Sequence, residues 1–277
     1  MLIYQIIESI KEKHRGEFMG VKLSEKTKDL ILYGNPEQEC TGIAVTCFAS
    51  VDVIEKAIKL GCNLIIVHEA LFWNHGDKTD WLKKNEAFKL KKKLLDDHHI
   101  VVWRDHDYIH SGIKIDDRWY DGIFYGVMKE IGFENYLIND NGTCNEFIVP
   151  RTPTKEFISQ MIDRFELTGT RCLGNMDGYV EHVLFPMHIM GEFDNSILEY
   201  VNDNNVDTMI CMECTDYTVA EYIRDCGHLG LNKRIIGIGH FNVEEPGMKY
   251  FSRILPEMVG MDLAVHYIKS GDSYRYF

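Results

Sequence analysis

The chain has 277 residues, 45% of them apolar and 26% charged, with a formal net charge of −13. This length supports a proper core in one large or two modest domains, and the composition is that of an ordinary globular protein. The acidic balance disfavours a general binder of the nucleic-acid backbone, which needs a basic face.

Residues 1–18 place Leu2, Ile3, Ile6, Ile7 and Ile10 at helical spacing. Glu8 interrupts the run and no small-residue cleavage site follows, so the segment predicts a core-packing helix and not a signal peptide. No stretch approaches the roughly 18 consecutive apolar residues of a membrane span. A cytoplasmic chain without a membrane partner is expected. Cysteines at 40, 47, 62, 144, 172, 211, 214 and 226 are too dispersed for a compact disulfide framework, and reduced thiols are expected. Cys211 and Cys214 form a lone C-x-x-C with no second pair to complete a four-thiolate zinc site, and Cys211 reads as a core thiol.

From Thr41 onward, short β-branched runs alternate with amphipathic helices. Residues 42–48 predict a strand, and a helix follows with Ser50 as cap, Val53, Ile54, Ala57 and Ile58 as its buried stripe, and Gly61 after its end. Strands are predicted at 63–67 and 100–103, with a lysine-rich helix over about 82–97 between them and another helix near 118–131. The second half continues with a strand at 146–150 and a helix over 154–165 capped by Thr154. A strand at 179–186, a helix from Asn195, a strand at 206–213, a helix closed by Gly227 and a strand at 233–239 lead into a final helix. The alternation predicts an α/β fold of two similar halves with mostly parallel sheets. The halves are 1–137 and 146–277, joined by a turn-rich linker at about 138–145. A weak internal repeat sets residues 63–69 beside 207–213, so that Glu213 occupies the place of Glu69.

Ligands of open α/β sheets bind outside the carboxyl ends of the strands. Three predicted strands end in clusters of ligand-type side chains: His68-Glu69; Asp105, His106, Asp107 and His110; and His240 with Glu244. In the third, Gly237 and Gly239 permit a tight turn, Asn242 can cap the following helix, and Glu244 would lie in its first turn. Met248, Phe251, Leu255 and Met258 make that helix's core stripe. Singly, these residues also fit a solvated loop or an acid that complements a helix dipole. Converging, their imidazoles and carboxylates suit zinc, iron, manganese or nickel better than calcium or magnesium, which prefer oxygen shells. His98-His99 fits a helix end without function, and His75 fits either the surface or a place behind the site.

The segments TGIAVTCFASVDVIEKAIKLGCNLIIVHEALFW, HDYIHSGIKIDD, VDTMICMECTDY and RIIGIGHFNVEEPGMKYFSRIL run in order along most of the chain. Together they resemble the NGG-one-interacting-factor-three-like proteins, also known as type 2 GTP cyclohydrolase I. GHFNVEEPG is similar to that family's Gly-His-Tyr-x-x-Glu-x-x-Gly. The resemblance implies a dinuclear metal centre at strand ends between the halves, a toroidal homohexamer and, at this length, no large central insertion.

Two departures stand out: the family's His-His pair is here His68-Glu69, and its His-x-x-x-Asp is here His106-x-x-x-His110. The ligands implied are His68, Glu69, His110, His240 and Glu244, so one imidazole and one carboxylate have exchanged places. The resulting expectation is a hydrolase with two divalent transition-metal ions, acting on a small molecule such as a nucleotide. Glu244 would be the bridging carboxylate, and Glu213 or His106 the proton-transfer group. The alternatives are a non-catalytic metal-binding assembly or regulatory protein, and an α/β ligand-binding protein without metal.

Overall fold

A computed structural model describes residues 1–18, 20–74, 76–138, 141–190, 195–260, 263–272 and 274–276. His75, and Asn139 and Asp140 of the expected linker, lie outside the described residues. In chain order the elements are α1 (Ile3–Lys13), β1 (Glu17–Phe18), β2 (Val21–Lys22), β3 (Ile31–Tyr33), β4 (Ile43–Thr46), α2 (Val51–Lys59), β5 (Leu64–Val67), α3 (Glu86–Asp97), β6 (Val101–Arg104), α4 (Asp107–Ser111), β7 (Ile113–Ile115), β8 (Arg118–Tyr120) and α5 (Gly122–Glu130). They continue with β9 (Glu146–Pro153), α6 (Thr154–Arg164), β10 (Arg171–Gly174), β11 (Tyr179–Ile189), α7 (Asn195–Asp203), β12 (Thr208–Cys214), α8 (Val219–His228), β13 (Arg234–Gly237), α9 (His240–Val259) and β14 (Val265–Tyr267). Two compact units result, one of residues 1–126 with 247–270, the other of 127–246 with 271–277. Among the described residues, no helix is long and apolar enough to cross a membrane.

The first unit is built on a sheet of order β14-β4-β5-β6-β3. Strands β14, β4, β5 and β6 are parallel, and β3 closes the edge antiparallel to β6. Every residue of β4, β5 and β6 is buried, as near-continuous apolar runs require when both faces of a parallel sheet are covered. Ile3, Ile6, Ile7 and Ile10 of α1 are buried together, and each such side chain contributes about 1.5–3 kcal/mol. Helix α2 forms as its sequence predicts. The Ser50 hydroxyl accepts the Val53 N–H at 3.2 Å, and Gly61 takes the left-handed conformation after the last turn at φ 73°. The lysine-rich helix begins later than expected, at Glu86, because Asn85 is its cap and accepts the Phe88 N–H at 3.0 Å. Residues 118–120 are strand β8, paired with β7, so the helix expected near 118–131 begins only at Gly122.

The second unit holds the mixed sheet β10-β13-β12-β11-β9. Strands β11, β12 and β13 are parallel, and the edges β9 and β10 are antiparallel to their neighbours. The fold class is therefore α/β as expected, with antiparallel edges on the parallel strands. Arg234 is fully buried at the start of β13. Its guanidinium reaches Asp207 at 3.0 Å, the Thr208 hydroxyl at 2.8 Å and the Asn175 carbonyl at 2.9 Å, which gives a buried charge the partners it needs.

Three capping expectations fail here. Thr154 is the first residue of α6 and not its cap; Pro153 stands at the cap position. Asn242 lies inside α9, which starts at His240. Gly227 does not close α8 but sits within it, where it serves packing. A Cβ there would lie 2.8 Å from the Gly174 carbonyl carbon, so glycine lets the helix approach the end of β10. Gly227→Ala is expected to destabilise the protein by about 1–3 kcal/mol, read as a lower urea midpoint with an unchanged slope. An unaltered midpoint would show that α8 shifts freely and that the close approach is immaterial.

Lys91 is the unusual residue of the first unit's core, 1% exposed. Its ammonium donates to the Leu71 carbonyl at 2.7 Å and lies over the rings of Phe48 at 4.8 Å, Trp73 at 5.5 Å and Phe72 at 5.6 Å. Burial lowers its pKa from 10.5 to about 8. Between these values the unfolded chain holds a proton that the folded chain has released, so stability should rise with pH across that window. Measured against Lys91→Met, wild-type stability should gain up to about 3 kcal/mol between pH 8 and 10.5. Parallel pH profiles for the two proteins would show that the amine is not desolvated.

Candidate metal centre

Strand β5 lies inside its sheet with parallel neighbours on both sides, so its carboxyl end opens at mid-sheet. There the N–H groups of His68 and Glu69 both donate to the Cys47 carbonyl, at 3.0 and 2.9 Å, which turns the chain out of the strand. His68 is fully buried and Glu69 half-buried. At the end of the adjacent β6, helix α4 has only five residues, far too few to be stable by itself. Carboxylates hold it. Asp29 accepts the N–H groups of His106 and Asp107 at 2.9 Å and of Tyr108 at 2.6 Å, and Asp105 accepts that of Ile109 at 3.1 Å. Burial and the nearby Asp105 charge raise the Asp29 pKa to about 6 against the opposing pull of the three N–H groups. Asp105 also faces buried His14, with Nε2 3.2 Å from its Oδ2.

This turn sets His106 and His110 four residues apart on one helical face, beside His68. The ring centroids are 4.6 Å apart for His68 and His106, 4.9 Å for His68 and His110, and 5.1 Å for His106 and His110. One ring nitrogen of each lies within 4.8 Å of the others. Each Nδ1 meets an oxygen: the Asp105 carbonyl at 3.1 Å for His68, Asp107 Oδ1 at 2.9 Å for His106 and Asp121 Oδ2 at 2.8 Å for His110. These oxygens only accept, so each neutral ring carries its proton on Nδ1 and its lone pair on Nε2. Metal-ligating histidines are commonly oriented in this way. Burial disfavours the charge on Asp107, but His106, the Lys28 N–H and the Thr27 hydroxyl together hold its pKa below the usual carboxylate range. Phe18 and Phe124 flank His110 at 6.2 and 6.3 Å.

The second unit contains a separate group. Glu213 projects near the end of β12, with His188 opposite it on β11 and His240 at the start of α9. His188 Nδ1 lies 2.6 Å from Glu213 Oε2, and His240 Nδ1 hydrogen-bonds to Oε1. Burial pushes the Glu213 pKa up, but the two histidines outweigh it and lower the value to about 2. An irregularity precedes His188: the β11–β12 register shifts on both sides of Met187, whose φ is 66°. For a residue other than glycine that conformation costs about 1–3 kcal/mol. Gly239, at φ 109°, makes the turn from β13 into α9. Because the helix already starts at His240, Glu244 is one turn on and not in a first turn after a capping Asn242. His240 Nε2 and Glu244 Oε2 are 3.5 Å apart, and Glu244 is buried.

Of the residues singled out in the sequence, His68, His106 and His110 meet in one unit, and Glu213, His240 and Glu244 adjoin in the other. His188 was missed. Its signal is faint, a histidine two places after Pro186 in an interrupted strand. Cys211 is a buried thiol whose pKa is pushed up by Cys214 and by burial, and the eight cysteines are thiols, not disulfides. His98 and His99 are exposed at the end of α3. A group of three histidines in the first unit and a histidine–carboxylate group in the second could thus each hold a metal ion.

The chain is similar to a Clostridium acetobutylicum protein named GTP cyclohydrolase 1 type 2 homolog, 23% identical over 251 residues that cover 86% of this chain and 85% of that protein. Its fold is similar to that of the Staphylococcus aureus hypothetical protein SA1388, with a TM-score of 0.72 at 15% identity over 100% of this chain and 99% of the other. A Bacillus cereus protein related to NIF3 gives a TM-score of 0.73 at 12% identity, again over 100% and 99% of the two chains. The model of the Duf34/NIF3 (NGG1p interacting factor 3) family matches residues 29–273, and the chain belongs to that family.

Proposed function

We propose that this protein is a metal-dependent hydrolase of a small molecule, a nucleotide by analogy with its cyclohydrolase-named relative. It would hold two divalent transition-metal ions through His68, Glu69, His110, His240 and Glu244. The observation that supports this reading is the meeting of His68 and His110, as ligands, with His106 beside them at the ends of β5 and β6, each with Nδ1 engaged by an oxygen acceptor. The donor set suits zinc, iron, manganese or nickel. Ions held there would supply Lewis acidity toward a scissile group.

The chain's own residues divide the remaining work. Glu213 fixes the ring of His240 through Nδ1 and so presents Nε2 on the side of Glu244. That engagement, together with the bond from His188, occupies both Glu213 oxygens and makes Glu213 a positioning residue. His106, backed by Asp107, is then the proton-transfer group. The aromatic rings beside His110 limit water at that side of the site.

Protein purified without added metal or a histidine tag should contain about two divalent ions per chain, by the analogy on which the proposal rests. His110→Ala and Glu244→Ala should each lower that content, and chelation should lower the melting temperature of the wild type. A ligand at 100 times its dissociation constant stabilises by about 2.7 kcal/mol. No bound metal after incubation with zinc, manganese and iron would refute the proposal. Metal without turnover on a panel of nucleotides and phosphoesters would favour the assembly or regulatory alternative.

If His106 transfers protons and is not a ligand, His106→Asn should reduce turnover about 100-fold or more with metal content intact. Loss of metal in that variant would reassign His106 as a ligand.

A further inference from the structure

We propose that His188, Glu213 and His240 form a second cation site, held wholly within the unit of residues 127–246 and 271–277, that takes a divalent transition-metal ion. The site competes with the five-residue set proposed above for the ring of His240 but otherwise does not depend on it. Its three side chains come from separate elements, β11, β12 and α9, and each offers a ligand atom within 4.8 Å of the others. The rings of His188 and His240 have centroids 5.2 Å apart, and both direct Nδ1 at the same carboxylate. Two imidazoles and one carboxylate, with further positions open, are a donor set suited to ions such as zinc and ferrous iron. The side chain of His188 is 43% exposed, so an ion has a route from solvent.

An exposed histidine–carboxylate pair alone has little energetic value, yet β11 keeps His188 opposite Glu213 across an irregular stretch. The strand pairs in register with β12 at Val183 and Leu184. It then passes through Pro186, which has no N–H to donate, and left-handed Met187, before His188 comes to face Glu213. Bulges of this kind re-aim side chains next to functional sites. The two shifts cancel, so His188 stands opposite Glu213 in the same register that pairs Leu184 with Met209. When the ion enters, it replaces the two Nδ1 protons shared with Glu213. Each neutral ring would carry its proton on Nε2 and offer the Nδ1 lone pair, so His240 serves either this ion or, through Nε2, the five-residue set.

The test is titration of the untagged, metal-stripped full chain with Co²⁺, following both stoichiometry and the visible absorption of the bound ion. Comparing wild type, His188→Ala, His188→Asn and Glu213→Gln with a His68→Ala/His110→Ala background separates the two sites. The background variant should still bind Co²⁺, and adding His188→Ala should weaken that binding at least tenfold. His188→Asn keeps an N–H near the position of Nδ1 and should behave like Ala if His188 is a ligand. If His188 only orients Glu213, Asn should instead restore binding. Unchanged stoichiometry and affinity in His188→Ala, with a native circular dichroism spectrum, would overturn the site, as would rescue by Asn. Loss of all Co²⁺ binding in the background variant would also count against it. Wild-type-like binding by the background variant, combined with loss in His188→Ala, would instead leave this site standing and count against the five-residue centre.

Discussion

The histidine group of the first unit depends on a carboxylate that is not itself part of it. Asp29 accepts three successive backbone N–H groups at the start of α4, and without such an acceptor a helix of this length would not persist. Nucleating a single turn is unfavourable because several dihedral angles are fixed for one hydrogen bond. Here the carboxylate supplies the missing partners from outside the helix, and Asp105 supplies another from the end of β6. The same Asp105 offers its backbone carbonyl to His68 and its side chain to His14. One residue therefore links the helix that carries His106 and His110 to the strand end that carries His68. A change at Asp29 or Asp105 would move the histidine rings without touching them.

Much of this was legible in the sequence, for reasons that differ by residue. The parallel strands β4, β5 and β6 announce themselves as apolar runs, and α2 as a run with a serine before it and a glycine after it. The positions of His68, His106 and His110 followed from the rule that ligands gather at strand carboxyl ends. What the sequence did not disclose are features set by distant partners. Thr154 and Asn242 look like caps by local chemistry alone, yet tertiary packing starts their helices elsewhere. Gly227 resembles a helix stop, but its glycine character answers to Gly174, across the sheet edge. The β7–β8 hairpin uses Trp119 and Tyr120, which also suit a helix, so periodicity could not separate the two. His188 was invisible because a bulge breaks the alternation that would have shown which face it takes.

The two departures from the family's motif bear on the same question of where charge sits. At the position where the motif has an aspartate, this chain has His110, and a carboxylate now stands directly behind that ring: Asp121 Oδ2 is 2.8 Å from Nδ1. His106 has Asp107 in the corresponding place, and His240 has Glu213. A carboxylate behind an imidazole makes the ring a stronger donor and fixes its tautomer, so negative charge is not lost from the neighbourhood when it leaves the ligand position. It is moved one bond network outward. Glu69 restores a carboxylate at the end of β5, where the motif has a second histidine. The chain thus keeps the balance of imidazole and carboxylate while changing which strand end supplies each. If the five residues proposed as ligands hold metal, the exchange should change which ion each position prefers more than the capacity to bind, because imidazole and carboxylate differ in softness while the count of donors is preserved.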